Sequence, residues 1–195
     1  MLETRLSLLD RVRDPADAAA WSEFVEFYRP LLLAYVRKRG VGEHDALDVV
    51  QDAFARLVPA LARFHLDHER GRFRTWLWQV AHAALVDWHR RRATRQRAEQ
   101  EWVDQHEPEP ADRADGDWDA LYRQRILEVA LKRVRESSSP ASWACFEGRV
   151  LADRPAAEIA AEWSVSVNAV YIHASRLLAR LREECAEFAE TLYQS

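Results

Sequence analysis

The stretch "PAAEIAAEWSVSVNAVYIHASRLLARLRE", residues 155–183, reads as a short helix, the break "SVS" and a longer helix. Pro155 suits the first turn of the short helix, because its missing N–H would have no helical partner there. Ile159, Ala160, Trp163 and Val165 are spaced to pack on Val170, Ala174, Leu177 and Leu181. Ala160 is small enough to let two helices cross closely. Two helices joined this way form the helix-turn-helix plan. Ser166 is the expected N-cap of the second helix. The outer face then presents Asn168, Ala169, Tyr171, Ile172, Ser175 and Arg176. In a DNA reader the early residues of this face meet base edges, while Arg176 and Arg180 reach phosphates. A plain helical hairpin with a solvated basic face has the same pattern, and this stretch alone leaves both open.

Upstream, residues 118–136 carry Leu121, Tyr122, Leu127, Ala130, Leu131 and Val134 at helical spacing. A helix from Pro140 to about Ala152 follows "SSSP". Residues 98–117 contain "EPEPADRADGD", whose prolines, glycine and repelling acids suit an acidic flexible linker. The sequence therefore divides at that linker into bodies 1–97 and 118–195.

The first body is also helical. Residues 17–39 repeat Phe24, Phe27, Tyr28, Leu31, Leu32, Tyr35 and Val36 at spacings of three and four, with Pro30 inside. Residues 45–62 carry the stripe Leu47, Val50, Phe54, Leu57 and Leu61, opposite Asp45, Asp48 and Asp52, with Gln51 alongside. Carboxylates stacked on one helix face repel by some tenths of a kcal/mol per pair, which a basic partner helix would relieve. A merely solvated face explains them equally well. Residues 73–97 start apolar and end basic, and no alternating strand pattern occurs. The chain is expected to be all-α.

Charge is segregated along the chain. Residues 70–97 hold eight arginines against Asp87 alone, and residues 99–119 hold nine acids against Arg113 alone. Such a basic block points to a polyanionic partner. Within it, "GRFRTWLWQVAHAALVDWHRRR", residues 71–92, holds Trp76, Trp78 and Trp88. These rings do not share one helix face. Rings left open stack on unpaired bases at about 1–3 kcal/mol each, with arginines holding the backbone. The competing reading is that all three are core. Asp87 reads as a partner for an arginine.

Other chemistries find little support. "HLDHE", residues 65–69, clusters polar groups poorly for a closed metal site, and no metal or cofactor is expected. No phosphate loop, nucleophile elbow or acid–base pair occurs, so the chain is not read as an enzyme. Cys145 and Cys185 have no metal-like spacing and suit a reducing compartment. The start "MLETRLSLLD" is no secretory signal, and the longest apolar run is "LLLAYV", residues 31–36. A membrane span needs about 20 such residues, so a cytoplasmic location is expected.

Together these segments resemble the bacterial sigma-70 family, in its small extracytoplasmic-function type. The resemblance covers residues 18–97 and 118–185. "DALDVVQDAFARLV" looks like the helix that binds core RNA polymerase, which implies that role for Asp45, Asp48, Gln51, Asp52 and Arg56. "GRFRTWLWQVAHAALVDWHRRR" looks like the segment that melts and reads the −10 element, implying Arg72, Arg74, Trp76, Trp78, Asp87, Trp88, Arg91 and Arg92. The helix-turn-helix resembles the −35 reader, implying Ser166, Asn168, Ala169, Tyr171, Ile172, Ser175, Arg176 and Arg180. The implied partners are core RNA polymerase, promoter DNA and a restraining anti-sigma factor, and the active form would be monomeric.

The departures are specific. His82 and Ala83 stand where Arg-Asn is frequent, and Ser164 where the turn often has glycine. Ala169, Val170 and Tyr171 replace a Thr-Val-Lys-type opening, and His173 and Ser175 replace common Arg and His. The −35 preference of better-known members therefore does not carry over. No further C-terminal domain is expected after Glu183. A rival reading is an autonomous dimeric helix-turn-helix regulator, which would bind a palindromic duplex without polymerase.

Overall fold

A computed structural model describes residues 5–62, 73–99 and 114–193. Among these residues the secondary structure is all helical: α1 (Arg5–Arg11), α2 (Ala18–Lys38), α3 (Glu43–Leu61), α4 (Phe73–Glu99), α5 (Ala114–Glu136), α6 (Pro140–Phe146), α7 (Ala156–Glu162) and α8 (Val167–Tyr193). A π-helical turn, Glu147–Leu151, continues α6. No helix among the described residues is long and apolar enough to cross a membrane. The chain divides into two compact bodies, Met1–Arg125 with Thr191–Ser195, and Ile126–Glu190.

The first body is built on α2. Every residue of its expected stripe, from Phe24 to Val36, is buried. Phe24 and Tyr28 meet Phe73 of α4 at ring separations of 6.2 and 5.6 Å, in the edge-on geometry that aromatic quadrupoles favour. Asp17 caps α2 by accepting from the Ala20 N–H at 2.9 Å, and Arg11 holds the same carboxylate at 2.8 Å. Those two contacts lower the Asp17 pKa, the arginine contributing most. Helix α1 was not anticipated. Its Leu8 and Leu9, with Val12 just beyond it, are buried, a pattern too short to announce itself in the sequence.

Two expected stripes rotate. In α3 the core is Ala46, Val49, Val50, Ala53, Leu57 and Leu61. Leu47 is exposed instead, because small alanines face the neighbouring helices at close approach. In α5 the buried series is Trp118, Tyr122, Ile126, Ala130 and Val134, a strict spacing of four, and Leu127 faces outward.

Helix α5 begins at Ala114, inside the stretch expected to be linker, and residues 100–113 lie outside the described structure. Asp117 in its first turn suits the positive end of a helix. The expected boundary lay before Trp118, whereas the compact bodies divide after Arg125. The first turns of α5 bind the first body through several contacts. Trp118 packs edge-on against Tyr35 at 5.4 Å and donates its indole N–H to the Arg74 carbonyl at 3.2 Å. Asp117 bonds Lys38 at 2.7 Å, and Asp119 pairs with Arg74 at 2.7 Å. Arg125 donates to the carbonyls of Phe27 and Glu26 at 3.1 and 3.0 Å. The second of these has a covalent cause. Pro30 lies four residues after Glu26 and has no N–H, so the Glu26 carbonyl lacks its helical donor. Arg125 supplies one.

The second body holds two small cores. Ala130, Val134, Phe146, Leu177 and Leu181 form one. Cys145, Ala156, Ile159, Ala160 and Val170 form the other, with Val165 against it. Trp163, expected inside, is exposed, because it caps α7 at the edge of the turn. Gly148 sits under Ile159, where an added Cβ would lie 2.8 Å from its Cδ1. The π turn thus brings bare backbone against α7. Ser139 caps α6 by accepting from the Ser142 N–H.

Ser164 occupies the turn at φ 51°, a left-handed conformation that favours glycine. Ser164→Gly should stabilise the second body by up to about 1 kcal/mol, offset in part by glycine's larger unfolded-state entropy. Urea unfolding of both forms measures the shift. Arg125→Ala should cost about 1–3 kcal/mol by removing the donor that replaces the missing helical bond at the Glu26 carbonyl and a second bond to the Phe27 carbonyl. In a Pro30→Ala background the cost should fall, because the Glu26 carbonyl regains its helical bond. A double-mutant cycle in chemical unfolding reads that coupling.

Candidate nucleic-acid and polymerase interface

Helices α3 and α4 lie side by side, and the acidic face of one meets the basic end of the other. Arg91 bonds Asp52 at 2.6 Å, and Arg56 bonds Asp87 at 2.8 Å. Arg92 approaches Asp45 at 4.0 Å while its guanidinium lies 5.2 Å from the centre of the Trp88 ring. Asp52 raises the pKa of Arg91 through their hydrogen bond. The basic helix that the stacked carboxylates call for is therefore α4 of the same chain. Asp48 and Gln51 remain exposed, and Asp48 has no ion partner among the described residues.

The tryptophans of α4 occupy three different environments. Trp88 is 5% exposed, so its ring is core and shows no face to a base. Trp76 is half-buried against Phe73 at 5.6 Å. Trp78 is half-buried and stacks on His82 at 5.2 Å and 18°. His82 Nδ1 lies 3.2 Å from the Tyr35 hydroxyl. Burial, then the nearby Arg39 charge, lowers the His82 pKa, and burial raises that of Tyr35. The lowered value favours the neutral imidazole, which fills a half-buried position between Trp78 and Tyr35. Arg74 is only 16% exposed at its side chain, turned toward Asp119. Its cation is engaged by α5, a contact invisible in the local sequence. Asp87 is the partner of Arg56, with Arg90 at 4.0 Å. Arg72 and the cluster His65 to Glu69 lie outside the described residues.

In the second body the expected reading face is largely exposed. Ser166 caps α8 by accepting from the Ala169 N–H at 3.1 Å. Asn168, Tyr171, Ile172, Ser175 and Arg176 are exposed, and Ala169 is half-buried. Arg180 is half-buried in the free fold. It donates to the Ser137 hydroxyl at 2.6 Å and carbonyl at 3.4 Å, tying α8 to the end of α5. His173 meets the Ser142 hydroxyl at 3.0 Å. Arg133, which the sequence reading passed over, faces buried Glu184 at 3.5 Å.

These features define an all-helical protein with a basic aromatic body and a helix-turn-helix body. Residues 24–95 match the family model for sigma-70 region 2. The ECF RNA polymerase sigma factor RpoE of Cereibacter sphaeroides is 24% identical over 178 residues, covering 91% of this chain and 93% of its own. A solved structure of CnrH in complex with the cytosolic domain of CnrY aligns at 22% identity over 93% of this chain and 96% of that one, with a TM-score of 0.38. Residues 24–95 are thus similar to sigma-70 region 2, and most of the chain is similar to an extracytoplasmic-function sigma factor.

The half-buried His82 yields a pH dependence. With His82 below its ordinary value of about 6.5, the folded body binds fewer protons than the unfolded chain in that range. Its stability is full above about pH 6.5 and falls as pH drops toward the lowered folded value. His82→Gln should remove that share of the slope, as urea midpoints between about pH 7.5 and pH 5 will reveal.

Proposed function

We propose that the protein is a non-enzymatic transcription initiation factor that binds core RNA polymerase, melts the −10 element and reads the −35 element. The observation that carries this reading is the presence, in one chain, of a sigma-70 region 2 segment and a separate helix-turn-helix body. RNA synthesis belongs to the polymerase. Helix α3 offers core polymerase the exposed Asp48 and Gln51. Asp45, Asp52 and Arg56 join that surface while exchanging partners with α4. Surface ion pairs contribute only about 0–1 kcal/mol, so cationic groups of a partner compete for these carboxylates at little cost.

Melting exposes bases, and a protein that holds one outside the stack favours the open state. Unstacking costs a few kcal/mol, which stacking and phosphate contacts offset. Trp76 and Trp78, both half-buried, serve this role, with Arg72 and the arginines at the end of α4 on the backbone. Arg91 and Arg92 are about half exposed, and each would trade a carboxylate for a phosphate. Trp88 supports Arg92 from beneath. The second body grips the upstream duplex with the early residues of α8, and Arg176 holds a phosphate.

Asp48→Lys should weaken association with core polymerase by about tenfold or more, the effect of reversing a charge at a complementary interface. Thermal unfolding should not change, because Asp48 bonds nothing in the described fold. Asp52 is a poorer choice, since changing it also unpairs Arg91. Co-purification of the variant with core enzyme at the wild-type level would remove α3 from the interface.

A further inference from the structure

The first turns of α8 carry a stripe of large apolar side chains facing water. Val167, Tyr171 and Ile172 are 44%, 52% and 41% exposed. They are not spare core residues, because α8 buries Val170, Ala174, Leu177 and Leu181 on its other side. An apolar stripe rimmed by polar groups marks a surface that something covers. Its neighbours narrow what that is. Asn168 is exposed within the stripe, and Arg176, one turn beyond Ile172, is exposed with no ion partner among the described residues. No lysine or arginine lies between Val167 and Ser175. Of the nearby arginines on other elements, Arg149 pairs with Asp153 at 2.6 Å and also meets the Tyr171 side chain at the rim of the stripe, and Arg154 pairs with Glu162 at 2.7 Å.

The major groove offers one apolar group, the thymine methyl. Guanine is read chiefly by arginine or lysine, and adenine by asparagine or glutamine. The part of α8 before Arg176 presents three large side chains of apolar body, one amide and no lysine or arginine of its own, which suits thymine and adenine better than guanine. The cation at its far edge fits a phosphate. On the strength of the initiation-factor reading, we infer that α8 reads an A·T-rich upstream promoter element, with Val167, Tyr171 and Ile172 covering thymine methyls and Asn168 bonding adenine.

The test uses the full chain with core RNA polymerase and promoters randomised across the −35 element. Selection should enrich A·T pairs there. Replacing a contacted thymine by deoxyuridine removes only its methyl, and should weaken promoter binding about threefold to fivefold, the scale of burying one such group. Ile172→Ser should weaken binding to the thymine promoter and lose the response to deoxyuridine at one position. Its unfolding midpoint should not move, because the side chain is exposed. Enrichment of guanine, or indifference to deoxyuridine in a holoenzyme that still initiates, overturns the methyl readout and leaves the initiation role standing. A chain that never associates with core enzyme removes both. A variant that changes oligomeric state without changing promoter selection assigns the stripe to a second copy of the chain and overturns the inference.

Discussion

A missing hydrogen-bond donor in α2 organises the first body. Pro30 leaves the Glu26 carbonyl without its helical partner, and Arg125 supplies one from α5. Trp118 and Tyr122 then extend the aromatic core, and Asp117 and Asp119 pair with cations of α2 and α4. The segment matched to region 2 ends at residue 95, yet the folded body needs side chains as far as Arg125. A small domain buries too little surface to be comfortable alone, and two more large aromatics are a substantial addition. The same clasp turns Arg74 inward and holds the start of α4, from which Trp76 and Trp78 project.

The opposed charge blocks act on each other before they act on a partner. Asp52 with Arg91, and Asp87 with Arg56, join the acidic and basic helices. Such exposed pairs add little stability. Their consequence is selective, since they decide which groups remain uncommitted. Among the described residues, Asp48 on α3 and Arg176 on α8 are left exposed without an ion partner.

Most of the helical plan was legible in the chain. The α2 stripe was read residue by residue, because a full 3.6-residue period of large side chains admits one orientation. The turn was legible at Ser164, whose left-handed φ the glycine preference anticipated. The α3 stripe was misjudged at Leu47, because close helix approach can favour alanine over leucine on the buried side. Trp163 was placed inside and is exposed, whereas Trp88, whose burial the sequence left open, is core. Local spacing ranks both as candidates for the interior, and only neighbouring helices decide which ring finds one.

The sequence by itself determined the helical class, the helix-turn-helix, the cap at Ser166 and the segregation of charge. These depend on residues within a few positions of one another, where periodicity and backbone preference act directly. The tertiary structure alone decided that α5 completes the first body, that Arg74 and Arg180 are structural ties, and that Asp52 and Arg91 share a bond. Each joins residues roughly 40 to 100 positions apart in the chain. Such contacts arise only when helices pack, and no local pattern encodes which cation will meet which carboxylate.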